Sequence, residues 1–252
     1  MVGGTRTRDR HAPHGSRTRG GLPSSGDRLV STTPSTDLAA HLARVQTSYN
    51  TIAGDYAERF ATELAEKPLA RAMLEAFAEL VRAHPGDNSE VADIGCGPGE
   101  VSAYLTAAGL SVRGVDLSSA MVALARRRNP GLTITEGSMT DLDLPDSRLS
   151  GLVAFYSIIH IPQEDLPGVF REFHRVLAPG GVVLLAFQVG DEPLHFSQGF
   201  GKSVDLEFRR LQPNTVLDLL TAEGFEIIAQ MLRQPDISEK APQAYLLVRR
   251  AT

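Results

Sequence analysis

Tryptophan is absent, cysteine occurs once, and aromatic residues make up only 6% of these 252 residues. The lone Cys96 excludes an intramolecular disulfide and supplies no metal framework. No apolar run approaches the ~20 residues that span a bilayer. The first 30 residues lack the apolar core of a secretory signal. No internal repeat occurs. These absences predict a cytoplasmic globular protein with no membrane partner.

What remains is ordinary in bulk and uneven along the chain. Hydrophobic residues make up 42% and charged residues 22%, enough for a core of normal size. Six arginines and two aspartates give residues 1–30 a charge of +4, so the rest of the chain carries −9. Residues 1–36 are rich in Gly, Ser, Thr, Pro and Arg and nearly free of large apolar side chains, which predicts a disordered basic tail. The remainder, 37–252, reads as one domain. Its acidity disfavours a nucleic-acid partner.

From Asp37 the spacing is helical, with Leu38, Leu42 and Val45 on one face. Gly54 is expected to interrupt that helix. A second helix over 68–83 places Leu69, Met73, Phe77 and Leu80 on one stripe, with Pro68 in its first turn. Strands and helices then alternate: strands at 90–95, 110–117, 132–137, 149–157 and 180–189, and helices at 99–108, 118–128, 163–177 and 213–223. Residues 225–233 and 244–250 finish as two strands forming a hairpin. The pattern predicts a mostly parallel, doubly wound sheet covered on both faces, with a helical cap in front of it.

In such a sheet, ligands bind beyond the carboxyl ends of the strands near the switch point. There the sequence reads VADIGCGPGE, residues 91–100. Gly95, Gly97 and Gly99 let a ligand approach bare backbone, beside the acid Asp93. The spacing is G-x-G-x-G, not the dinucleotide G-x-G-x-x-G, and no Lys-Ser/Thr follows as in a phosphate-gripping loop. An acid beside such a loop suits a zwitterionic amino-acid group better than a pyrophosphate. Asp116 ends the next strand, where a carboxylate accepts from ribose hydroxyls or caps the following helix.

DIGCGPGEVS, GVDLS, EGSMTDLDLP, AFYSIIHI and LAPGGVVLLAF together resemble, in order and spacing, the motifs of the class I S-adenosylmethionine-dependent methyltransferases. The resemblance covers about residues 45–250. It implies a Rossmann-like seven-stranded α/β sheet with a final antiparallel strand, and S-adenosylmethionine as cofactor. It places Gly95 and Gly97 at the methionine part, with Asp93 near and Cys96 between them. Asp116 would hold the ribose, and Leu117 and Met121 would pack on the adenine. Ser138 stands where many relatives carry an aspartate for the adenine amino group; its hydroxyl or the Met139 backbone would substitute. Phe155 is counted with the cofactor residues.

Methyl transfer asks the protein to position an acceptor and, where needed, remove a proton. Three places offer candidates. Tyr49 and Tyr56, seven apart on the first helix, read as a tyrosine lid over the methyl or as core packing with wet hydroxyls. His160, after the fourth strand, reads as a general base or as a loop-ordering residue. Residues 187–210, with an insertion at about 190–212, are too long for an ordinary connection and read as a substrate cap or a surface hairpin. Tyr49 and His160 are the expected catalytic residues. Tyr56, Tyr156, Gln188, His195 and Phe200 are the expected substrate contacts. No metal is expected, because no Asp/Asn/His cluster with ligand spacing follows the fourth strand. The reading is therefore methylation of O, N or C on a small metabolite of specialised metabolism, by a monomer or homodimer. A peptide or protein substrate, or a cofactor-binding scaffold without activity, stands as the alternative; an NAD-dependent oxidoreductase is disfavoured by the glycine spacing.

Overall fold

A computed structural model describes residues 36–84, 90–237 and 239–252. The basic tail and the His-Pro-Gly close of the second helix fall on residues outside these, in whole or in part. The helix α1 (Thr36–Arg59) opens the described chain, followed by α2 (Glu63–Glu66) and α3 (Pro68–Arg82). Then come β1 (Glu90–Ile94), α4 (Glu100–Ala107), β2 (Ser111–Asp116), α5 (Ser119–Arg128), β3 (Thr133–Glu136), β4 (Leu149–Phe155) and α6 (Leu166–Val176). The chain ends with β5 (Leu177–Gln188), β6 (Leu194–Gly199), β7 (Lys202–Phe208), α7 (Pro213–Ala222), β8 (Phe225–Arg233) and β9 (Gln243–Arg250).

Seven strands form one sheet in the order β3-β2-β1-β4-β5-β9-β8. The first five strands run parallel and β9 runs antiparallel to both its neighbours. Strict alternation explains why both faces are covered. On β5, Val183, Leu185 and Phe187 join the core beneath α6 and α7, while Val182, Leu184 and Ala186 join the one beneath α3. The strand order turns between β1 and β4, so the crevice opens beyond the carboxyl ends of these two strands.

Three local expectations need correction. Gly54 does not interrupt α1: it is solvent-exposed within the helix, and its neighbours Ile52, Ala53 and Ala57 are buried. Their burial outweighs the roughly 1 kcal/mol that a helical glycine costs. The stripe on α3 is rotated: Ala70, Leu74, Phe77, Ala78 and Val81 are buried, whereas Leu69 is 46% exposed. Small alanines on the contact face let the helix approach the sheet, and counting only large residues missed them. Finally, β5 begins at Leu177, so Pro179, Gly180 and Gly181 lie within the strand across an irregularity in its pairing with β4.

The segment between β5 and α7 is a separate two-stranded hairpin, β6 with β7. Val204 and Leu206 of β7 pack with Val45 and Ile52 of α1. The helix and the hairpin thus meet above the crevice rather than in the sheet.

Candidate active site

The glycine loop leaves β1 with Gly95 and Cys96 donating their N–H groups to Val115 O, at 2.7 and 3.1 Å. Gly95 and Gly97 hold φ of +73° and +53°, a region costly to side-chain-bearing residues. At Gly95 a Cβ would lie 2.3 Å from the Ser157 Cβ. At Gly97 it would meet no atom within 4 Å, because the backbone there borders open cavity. Asp116 organises the loop: its carboxylate accepts Gly97 N–H and Ser118 N–H, both at 2.8 Å. Burial raises its pKa, while those two amide bonds work in the opposite direction. Asp116 is thus a backbone clamp whose remaining lone pairs face the cavity. The α5 cap is Ser118, whose hydroxyl accepts Met121 N–H at 3.2 Å.

Around Asp116 the cavity is walled by Leu117, Met121, Ser138 and Met139. Ser138 is partly committed, since its hydroxyl bonds Thr140 Oγ1 at 2.8 Å and accepts Thr140 N–H. The same cavity is lined by Tyr49, Tyr56, Tyr156 and His160, with Tyr49 and Tyr56 in the apolar cluster that Leu117 joins. Tyr49 Oη lies 2.8 Å from His160 Nε2, and His160 Nδ1 lies 3.2 Å from Glu207 O. A carbonyl only accepts, so Nδ1 carries the proton; Nε2 is bare and Tyr49 donates to it. Burial first, then the nearby His41 and Arg209 charges, push the His160 pKa down to about 4 against the bond to Glu207. The ring is therefore neutral at physiological pH. Tyr49 is pushed up by burial, with Tyr56 and Asp116 adding to it.

A second cavity lies on the other side of the glycine loop and shares Tyr56, Gly95, Gly97, Phe155 and Tyr156 with the first. Asp93 and Cys96 line this one. Asp93 is 1% exposed and accepts from Ser102 Oγ at 2.6 Å; burial pushes its pKa up to about 7. Tyr156 adopts φ +55° and its hydroxyl meets Tyr245 Oη at 3.1 Å. A non-glycine residue in this conformation is a local strain of the kind found where function holds it.

With this geometry in view, the glycine loop and the strands around it match the family model described as methyltransferase domain, over residues 91–181. That stretch is similar to a methyltransferase domain. The chain is 30% identical over 151 residues to a malonyl-[acyl-carrier protein] O-methyltransferase of Pectobacterium atrosepticum, covering 60% of this chain and 58% of that one. It is 34% identical over 126 residues to a dTDP-3-amino-3,6-dideoxy-alpha-D-glucopyranose N,N-dimethyltransferase of Streptomyces fradiae, covering 49% and 47%. The matches thus span about half of these relatives' lengths. In fold it is similar to 1,6-didemethyltoxoflavin-N1-methyltransferase of Burkholderia thailandensis, at a TM-score of 0.64 and 18% identity over 91% of this chain and 99% of that one.

The methyltransferase fold brings most of the expected residues together. Gly95, Gly97, Asp116, Leu117, Met121, Ser138, Met139, Phe155, Tyr49, Tyr56, Tyr156 and His160 all line the first cavity. It does not bring Gln188, His195 or Phe200 to either cavity. Gln188 ends β5, paired with Gln243 of β9. His195 lies on the hairpin and bonds Asp205 at 2.7 Å in solvent. Phe200 sits at the hairpin tip, 45% exposed. Alternation decides this: β7 turns Val204 and Leu206 toward α1, and the hairpin's polar and tip residues face water.

Sequence reasoning missed a set of polar residues on α1. Gln46 donates to Leu117 O at 2.8 Å and Glu136 Oε1 at 3.0 Å. Asn50 Oδ1 accepts from Ser118 Oγ at 2.7 Å and Ala120 N at 3.1 Å. His41 Nε2 donates to His160 O at 2.8 Å. Gln46 and Asn50 are i, i+4 beside Tyr49, so one helical face carries three polar side chains toward the crevice; that run was the available signal.

Proposed function

We propose that this protein transfers the methyl group of S-adenosylmethionine to O, N or C of a small metabolite. The observation that carries the reading is a single cavity lined both by Asp116 and the glycine loop and by the Tyr49–His160 pair. The residues present fit the cofactor. The Gly97 backbone is a cradle that a Cβ would fill, Asp116 offers a carboxylate for ribose hydroxyls, and Leu117, Met121 and Met139 offer apolar faces for adenine. Bound there, the sulfonium supplies an already activated methyl.

The chain's own part is positioning and proton removal. Tyr49 Oη takes the acceptor's proton while its own proton passes to His160 Nε2, and the Nδ1–H stays on Glu207 O. A weak base is enough, because an oxygen or nitrogen gaining a methyl becomes strongly acidic as the bond forms. Tyr56 packs edge-on to Tyr49 at 5.7 Å between ring centroids, Tyr156 lines the same cavity, and α1 shields the pair from water. The substrates named in the relatives' titles, an amino sugar and an acyl-carrier-bound malonyl group, support a metabolite of specialised metabolism as acceptor. The lone buried Cys96 supports a cytoplasmic setting. Among the described residues no helix is long and apolar enough to cross a membrane.

Calorimetric titration with S-adenosylhomocysteine, NAD and NADP in parallel tests the reading. Micromolar binding of the first alone is expected. No such binding, or preference for a nicotinamide nucleotide, overturns it.

A further inference from the structure

Strand β7 has one edge paired with β6 and one edge that the seven-stranded sheet does not pair with. Alternate residues of a strand present their N–H and C=O to the same edge. On that outer edge of β7, two residues apart, lie the backbone groups of Asp205 and Glu207. Ser48 of α1, 3% exposed, bonds Asp205 in both directions: its hydroxyl donates to Asp205 O at 3.2 Å and accepts Asp205 N–H at 2.8 Å. His160 donates Nδ1–H to Glu207 O at 3.2 Å. Tyr49, the next residue after Ser48, donates to the other nitrogen of that ring. One strand edge is therefore read twice, once by the helix that carries the tyrosine and once by the histidine.

We infer that the hairpin is a positioning element for the Tyr49–His160 pair, and that Ser48 is the residue that sets its register. The inference rests on the proposed role of that pair. Without Glu207 O, the neutral ring has no reason to keep its proton on Nδ1. The other tautomer places the proton on Nε2, which then donates to Tyr49 Oη, and the bare nitrogen, Nδ1, is no longer the one that faces the tyrosine. The apolar contacts of Val204 and Leu206 hold the hairpin down but tolerate sliding; the exposed ion pairs of Lys202 with Asp55 and of Arg44 with Asp205 add little. A two-residue slip would preserve the apolar face of β7 and still move Glu207 O away from the ring. The reciprocal Ser48–Asp205 bonds forbid it from the side of α1, and the Arg209 N–H bond to Ile159 O at 2.9 Å helps from the side of the His160 turn. The charged and titratable groups around His160 are Tyr49 and His41 of α1, the ion pair of Glu207 in β7 with Arg209 just after it, and Asp165 near Arg209 and His41. None of them is an acceptor bonded to Nδ1.

The test reads the ring itself. In the full-length protein with 15N-labelled histidine, long-range 1H–15N spectra give the tautomer and pKa of His160, assigned by its loss in His160→Gln. The wild type is expected as the Nδ1–H tautomer, neutral down to about pH 4. Ser48→Ala is expected to populate the Nε2–H tautomer and to lower turnover about tenfold, with affinity for S-adenosylhomocysteine changed less than twofold. Ser48→Thr is expected to restore both. Leu206→Ala, which loosens the hairpin without touching Ser48, is expected to shift the same tautomer signal. An unchanged tautomer and pKa in folded Ser48→Ala and Leu206→Ala overturns the inference. A wild-type rate in His160→Ala instead removes the catalytic role of the pair while leaving the tautomer assignment standing, so the two failures are distinguishable.

Discussion

Two sets of residues line the cavity and are built by different means. The Asp116 set comes from the sheet: a loop leaving β1, a carboxylate ending β2 and a turn after β3 meet because their strands are neighbours, and Gln46 and Asn50 of α1 only dock onto the turn after β2. The Tyr49–His160 set comes from no sheet: a helix before it, a turn after β4 and a hairpin inserted after β5 converge there. The first set is fixed by hydrogen-bonded ladders, and the second is held by a small apolar cluster and a few side-chain bonds. Ladder register leaves little freedom, whereas docked elements admit many different pockets beside the same glycine loop.

The comparison can be broken or sharpened by substitution. The largest effect is expected for Asp116→Ala, which removes both the proposed ribose acceptor and the clamp on Gly97 N–H. Affinity for S-adenosylhomocysteine should fall about 100-fold, in keeping with roughly 1.5–3 kcal/mol per hydrogen bond to a charged group. Calorimetry on a variant with native circular dichroism measures this, and retained affinity would remove Asp116 from the proposed cofactor site.

In the second set, His160→Ala should lower turnover by about 100-fold, the lower range for general-base catalysis, with affinity for S-adenosylhomocysteine within about twofold. Because the folded pKa of His160 lies below the ordinary value, the wild-type rate should hold down to about pH 5 and fall only near pH 4. An acid limb centred near 6.5 would show that the ring is not buried as described.

Gly95→Ala should affect the fold before the chemistry. Positive φ and the approach to Ser157 together should cost about 2–4 kcal/mol in a denaturant titration. Stability within 0.5 kcal/mol would mean that the loop relaxes freely.

Asp93 gives a subtler signature. Its folded pKa, near 7, lies above the unfolded value. Its contribution to stability is therefore full below about pH 4 and is lost as pH rises through 7. Asp93→Asn should flatten stability against pH over that window by the equivalent of one proton; an unchanged slope would place the ionised carboxylate in the native state.

The smallest effects are expected where the sequence pointed and the structure did not follow. His195→Ala and Phe200→Ala should change stability by less than about 0.5 kcal/mol and leave affinity for S-adenosylhomocysteine intact, since both are exposed. A tenfold loss of acceptor turnover in either would show that the hairpin tip reaches the substrate.

What the amino-acid sequence determined by itself was the part governed by short-range rules. Alternating apolar residues, glycines needing positive φ and an acid at a strand end are local signals, so the strands, the glycine loop and Asp116 could all be read before any contact was known. Tyr49 and His160 could be nominated by type and position, but not paired. Their 2.8 Å bond joins residues 111 apart, and only the docking of α1 and the hairpin brings them together. Gln188, His195 and Phe200 lie away from both cavities, which their place in the sequence did not show. They are close in sequence to a segment that does matter, yet the side of the strand that faces the cavity is set by packing against α1. Tertiary structure alone decided which groups of the second set meet, because contacts between separately docked elements leave no periodic trace in any one of them.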